Sequence, residues 1–332
     1  MNEERVWMDQ HLSVPRRLHH YTTLAGLEGI ITKRVIWASD ARYLNDTSEL
    51  SYAADLIDGV IREAFAQVTD PVLRPVLPPR IGVANAFAGG YGPYVACFCE
   101  DSDLLSQWRG YGTGKPSFAI GFNFAGPANR DELPLGSFIR KVIYDPDEQH
   151  GAVRSVISEW LQTTQSLLAS GLTPKDLFPY PAIWTLQRAF AEHHLCFKHP
   201  AFREEREWRL IKLVDADAEM RLPEHLEWVE TLRTSKERLT QLGVDVEAVG
   251  IGEFDPDSVR TNAEGLAIKF RSGSFGLVPY LELPIDGTRL EYVTQGPTAH
   301  AELARESLDL FLRANGFAHA KVRLSSTPLR PS

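Results

Sequence analysis

The sequence predicts an α+β fold: a single domain over residues 1–332, built on a mixed or antiparallel central sheet, with a mostly helical insertion at 147–198. Three observations lead there. Strand-like stretches come in groups, as in "YVACFC", "SFAIGFNF" and "FIRKVIYD", and again in "LAIKFRS", "GLVPYLELPI" and "RLEYVTQG". Helical periodicity is inserted between the groups instead of following every strand, unlike a doubly wound parallel sheet. A chain of 332 residues with 43% hydrophobic content can bury one large core with an inserted segment.

The elements follow in order. "RRLHHYTT" reads as a short strand entering a helix, whose start Thr22 or Thr23 can cap and whose apolar face is Leu24, Leu27, Ile30 and Ile31. "VIWAS" is a short strand. "YLNDTSEL" is a loop leading into a second helix with the stripe Leu50, Ala54, Ile57, Ile61 and Phe65; Asp46 and Glu49 have capping-box spacing. Residues 70–93 are rich in Pro, Gly and Ala and read as a loop. "YVACFC" is a buried strand, and "DLLSQWRGYG" a short helical turn ending on glycine. "SFAIGFNF" and "FIRKVIYD" are strands, and 147–198 is helical with breaks at Gly171 and Pro174. "FREEREWRLIK" at 202–212 alternates as a strand. "AVGIGEF" and the second strand group follow, then a helix at about 298–314 and the strand "HAKVRLSS".

Composition narrows the function classes. The net charge of −9 means that contact with nucleic acid would need a local basic patch. Lys198, His199, Arg203, Arg206, Arg209 and Lys212 are one candidate, and the mixed-in Glu204, Glu205 and Glu207 favour a solvated charged surface instead. No run of about 18 apolar residues predicts a membrane span. "MNEERVWMDQ" lacks the apolar region of a secretory signal. Cys97, Cys99 and Cys196 make no disulfide framework, which favours a reducing, cytoplasmic setting. No metal motif is expected: "HHLCFKH" matches no standard ligand spacing.

Four stretches offer chemistry. In "LHHYTT", His20 and Thr22 share one strand face and suit sugar hydroxyls, or serve as a hydrogen-bonded histidine beside a helix cap. Asn45 and Asp46 cap the second helix, and the negative charge of Asp46 opposes an anion there. "LLSQWRGYG" joins Trp108, Arg109 and Tyr111, aromatic planes beside a guanidinium fork, which fits a nucleotide or an aromatic anchor for the loop. In "FREEREWRLIK", Glu205, Glu207 and Arg209 share one strand face, with Trp208 and Leu210 on the other. Carboxylates at i and i+2, about 6.6 Å apart, raise one another's pKa unless a cation such as Arg209 compensates.

Several stretches together resemble a bacterial family, the domain of unknown function numbered 2971: "LHHYTTLAGLEGII", "WASDARYLNDTSEL", "DLLSQWRGYG" with "AIGF", "FKHPAFREEREWRLIK", and the closing "GPTAHAELARESLDLFLRANGF" with "VRLSSTPLR". The resemblance runs from residue 18 to 330. It departs from the family at Thr47, where proline is common, and at "TGKPS", which replaces a glycine-rich link.

The layout more remotely resembles ADP-ribosyltransferases with a histidine on the first core strand. That likeness implies an enzyme consuming NAD, with His20 and Thr22 on the adenosine side and Tyr111 or Trp108 against nicotinamide. Arg109 would hold the pyrophosphate, Glu207 would be catalytic, and Glu205 would serve the acceptor as general base. Arg209 would keep Glu207 ionised. The acceptor, whether protein, nucleic acid, small molecule or water, is left open. Bacterial conflict or defence is the implied setting. The alternatives are a glycoside or nucleoside hydrolase using the same carboxylates, and a non-catalytic nucleotide-binding sensor.

Overall fold

The computed structural model describes residues 14–44, 48–78, 91–112, 116–124, 137–174, 193–215, 267–273 and 276–328, with single positions at 186, 190, 237, 240 and 241. The "AVGIGEF" stretch, Asn45 and Asp46 lie outside the described residues.

The fold is α+β with an open, mixed and largely antiparallel sheet. Its strands are β1 (Arg17–Thr23), β2 (Val35–Asp40), β3 (Tyr91–Cys99), β4 (Ser117–Asn123), β5 (Ser137–Lys141), β6 (Glu207–Asp215), β7 (Lys269–Gly273), β8 (Gly276–Pro284), β9 (Leu290–Gln295) and β10 (Lys321–Leu324). The main path runs β10-β9-β4-β1-β3-β2-β8-β7. β6 lies against the full length of β3 and carries β5 on its other edge. The other edge of β3 is shared: β2 meets Tyr94 and Val95, and β1 meets Cys99. The sheet therefore forks at β3. β10 and β9 run parallel; the remaining named pairs are antiparallel.

Helix α1 (Leu24–Lys33) starts where Thr23 accepts a hydrogen bond from the Gly26 N–H, as its sequence predicts, and stops at Arg34 with φ 55°. Its Leu27, Ile30 and Ile31 enter the main core with Leu18, Phe98, Ile120, Trp208, Leu210, Leu281 and Val293. Helix α5 (Ala301–Ala314) closes that core with Leu308 and Leu312. Each fully buried leucine or phenylalanine there contributes roughly 1.5–3 kcal/mol relative to exposure.

A second layer covers the opposite sheet face. Helix α2 (Ser48–Ala66) packs Ala53, Ile57, Val60 and Ile61 on Ala152, Val153, Ile157 and Trp160 of α4 (Pro146–Ala169). Asp145 begins α4 by accepting from the N–H groups of Asp147 and Glu148, with Pro146 at the first helical position. Gly171, at φ 99°, follows its end. The described part of the expected insertion holds one long helix, and the chain is back at the sheet where Phe197 bridges Ile143. Among the described residues no helix is long and apolar enough to cross a membrane.

Candidate functional site

Two segments differ from their sequence reading. Glu205 is not on the strand. Pro200–Glu205 forms a 3₁₀ turn, Arg206 reverses the chain at φ 42°, and β6 starts at Glu207. Pro200 favours the turn, and the left-handed Arg206 interrupts the alternation. The basic stretch is also not a surface patch, since Lys198, Arg209 and Lys212 are buried at 6%, 1% and 1% exposure.

Lys198 and Arg209 serve a buried ionic cluster. The Lys198 ammonium lies 2.8 Å from Glu49, 2.6 Å from Glu205 and 3.1 Å from Glu207. The Arg209 guanidinium donates to both oxygens of Glu207, at 2.8 and 3.2 Å, to Glu49 at 2.6 Å, and to the Leu195 carbonyl at 2.8 Å. Three carboxylates thus share two cations. Glu49 comes from the first turn of α2, Lys198 from the end of the helical insertion, and Glu207 and Arg209 from β6. Glu205 is the member that reaches solvent, with 18% of its side chain exposed against 4% for Glu207.

The cluster separates two carboxylates by protonation. Burial would raise the Glu207 pKa, but the charges of Arg209 and Lys198, with hydrogen bonds from Arg209 and Cys97, hold it down to about 2. Glu205 is pushed up: its burial, with the charges of Glu207 and Glu49, outweighs Lys198. Burial would lower the Lys198 pKa, yet Glu207 and Glu49 keep it raised. Burial, followed by the charge of Glu207, lifts the Cys97 thiol well above its usual range, so it is not a ready nucleophile.

Strand register decides which predicted residues meet the cluster. Cys99 is opposite Glu207, and Cys97 opposite Arg209, so these four side chains share a sheet face. His19 is opposite Cys99, which puts His19 and Tyr21 on that same face. His20 and Thr22 alternate to the other face. There His20 packs on Phe98, and Thr22 lies under α1, where a Cβ on Gly26 would stand 2.0 Å from its hydroxyl oxygen. His20 is half-buried, and its Nδ1 donates to the Cys97 carbonyl at 2.8 Å. The structure therefore does not bring His20 and Thr22 together with Glu207.

Helix α3 (Leu105–Tyr111) borders the cluster's face. Trp108 is buried, its ring set edge-on to Tyr21 at 4.7 Å and its Nε1 donating to Asp103 at 2.7 Å. It anchors α3 and has no free face for a ligand, in line with the anchoring alternative. Asp103 also accepts from the Ser326 N–H and hydroxyl, both at 2.7 Å, and from Thr327 at 3.1 Å, so the chain's last described segment clamps this loop. Tyr111 stacks on Tyr21 at 6.4 Å; burial first, then the negative charge that Cys97, Cys99, Glu207 and Glu205 carry when ionised, raises its hydroxyl pKa. Arg109 is exposed on α3.

Of the residues expected from sequence, Glu205, Glu207 and Arg209 converge, and Tyr111 sits on the neighbouring α3, packed on Tyr21. Glu49 and Lys198 join them without having been singled out for the site. Glu49 reads as a helix-capping acid, and Lys198 as one member of a basic run.

Residues 107–210 match the family described as Protein of unknown function (DUF2971). The match runs from α3 into β6 and takes in Tyr111, Lys198, Glu205, Glu207 and Arg209; Glu49 lies outside it. No curated protein and no solved structure matches the chain.

Proposed function

We propose that the protein is an enzyme of glycosyl transfer that cleaves the nicotinamide–ribose bond of NAD and passes ADP-ribose to an acceptor, with Glu205 as the acid that meets the substrate. The observation that carries this reading is the pair Glu205 and Glu207, held by one lysine and driven to opposite protonation behaviour beside Tyr111. Such a division is what a site with one permanent charge and one proton carrier needs. The choice of NAD rests on the sequence resemblance.

Glu207 and Arg209 set a fixed electrostatic frame. In the reaction the bond electron pair leaves with nicotinamide, which departs neutral, and positive charge develops on the ribose. Carboxylates in a low-dielectric surround stabilise that charge. The acceptor nucleophile bonds to the ribose carbon, and its proton passes to Glu205, whose raised pKa suits a general base. Water as acceptor makes the same chemistry a hydrolysis. Tyr111 supplies an aromatic wall. His20 and Thr22, on the other face, have no part in the step.

A second reading, a nucleotide-binding module without turnover, draws on a specific observation: both oxygens of Glu207 are engaged, and the residue is 3% exposed. Incubation with NAD, followed by proton NMR of free nicotinamide, separates the two. Release that is lost in Glu205→Gln supports the enzyme. NAD binding without release supports the module, and neither binding nor release rejects both.

A further inference from the structure

We infer that Glu49 is a positioning residue for this site: by bridging Lys198 and Arg209 it takes up cationic charge that would otherwise fall to Glu205, and so leaves Glu205 as the carboxylate able to hold a proton. The inference deepens the proposed function and, in its direct test, does not depend on it.

The geometry is specific. One Glu49 oxygen is 2.8 Å from the Lys198 ammonium, and the other 2.6 Å from the Arg209 guanidinium. Among the described residues, Glu205 pairs with Lys198, at 2.6 Å, and shares it with Glu49 and Glu207. With all members ionised, the carboxylates outnumber the cations by one, and the surplus is relieved most readily at the member nearest solvent. The other described groups around Glu205 do not supply the missing cation, and Arg206 turns to Glu100 and Asp101. Glu207 and Arg209 on β6 are bound to each other; Tyr111 on α3, Tyr144 after β5 and Cys99 on β3 are neutral when protonated, and burial raises the pKa of each. Glu49 is 8% exposed, so bulk salt screens this arrangement poorly.

The test is a carbon-13 NMR titration of the glutamate side-chain carboxyls in the full chain, with the Glu205 signal assigned by its loss in Glu205→Gln. Glu49→Gln keeps the shape and removes the charge. The Glu205 midpoint then falls from its wild-type value, whereas Glu49→Asp, which keeps the charge, retains most of the elevation. An unchanged or higher midpoint in Glu49→Gln overturns the inference. If Glu49→Gln does not fold, the wild-type protein decides: Glu205 titrates above 4.5, the ordinary glutamate value. A Glu205 midpoint at or below that value overturns the inference. Where nicotinamide release is observed, its acid limb moves to lower pH in Glu49→Gln. Absent release rejects the proposed function and leaves the titration result standing.

Discussion

Replacing Glu207 with Gln tests the electrostatic frame through stability. Gln has the shape of the protonated acid, so the variant isolates the charge. The folded protein holds the Glu207 pKa at about 2, against an ordinary 4.5. That difference is worth about 3 kcal/mol of stability at neutral pH. Because the folded pKa is depressed, the contribution is complete above pH 4.5 and disappears as pH falls through about 2. Truncating one partner of a buried ion pair costs a similar 3–5 kcal/mol or so. Total stabilities of about 5–15 kcal/mol leave the variant folded. Urea unfolding of both proteins at pH 7, 5 and 3 reads the effect from the midpoints, with slopes compared to confirm an equivalent transition. The expected destabilisation is about 3 kcal/mol at pH 7, and it shrinks steadily below pH 4.5. A difference under about 1 kcal/mol at pH 7, or one that does not change with pH, refutes the reasoning.

Other consequences are independent of that experiment. His20→Ala changes the rate of nicotinamide release by less than about threefold, since His20 faces away from Glu207; a loss of a hundredfold or more in a folded variant places the substrate on the other face. Asp103→Asn weakens the clamp on Ser326 and Thr327 and costs about 2 kcal/mol. Limited proteolysis after β10 is its readout, and unchanged resistance argues against the clamp. Gly26→Ala drives a methyl to 2.0 Å from the Thr22 hydroxyl and lowers stability by about 1–3 kcal/mol, measured by thermal melting. A neutral result shows that Thr22 rotates away freely.

The fold class and much of β6 were legible in the sequence because they rest on local periodicity. Trp208 and Leu210 went to the core, and Glu207 and Arg209 to the opposite face, as the alternation requires. Thr23 and Gly171 mark helix ends through backbone chemistry that sequence reveals directly. What failed was long-range. Alternation within β1 separates His20 from Tyr21, but only the His19–Cys99 register says which of them faces Glu207. A register slip of one residue reverses that answer, and a single sequence contains nothing that fixes it. Strand alternation carries Glu205 onto β6, whereas it ends a 3₁₀ turn and its side chain reaches the same lysine from there. Glu49 sits 160 residues from Arg209, and their contact depends on how α2 packs over the sheet.

The most direct test of the central claim is the rate of nicotinamide release from NAD across pH, for the wild type and Glu205→Gln together. The account predicts release by the wild type, with an acid limb centred above the ordinary glutamate value of 4.5, and loss of at least a hundredfold in the variant. Absent release by the folded wild type, or a Glu205→Gln variant that matches it at every pH, contradicts the claim.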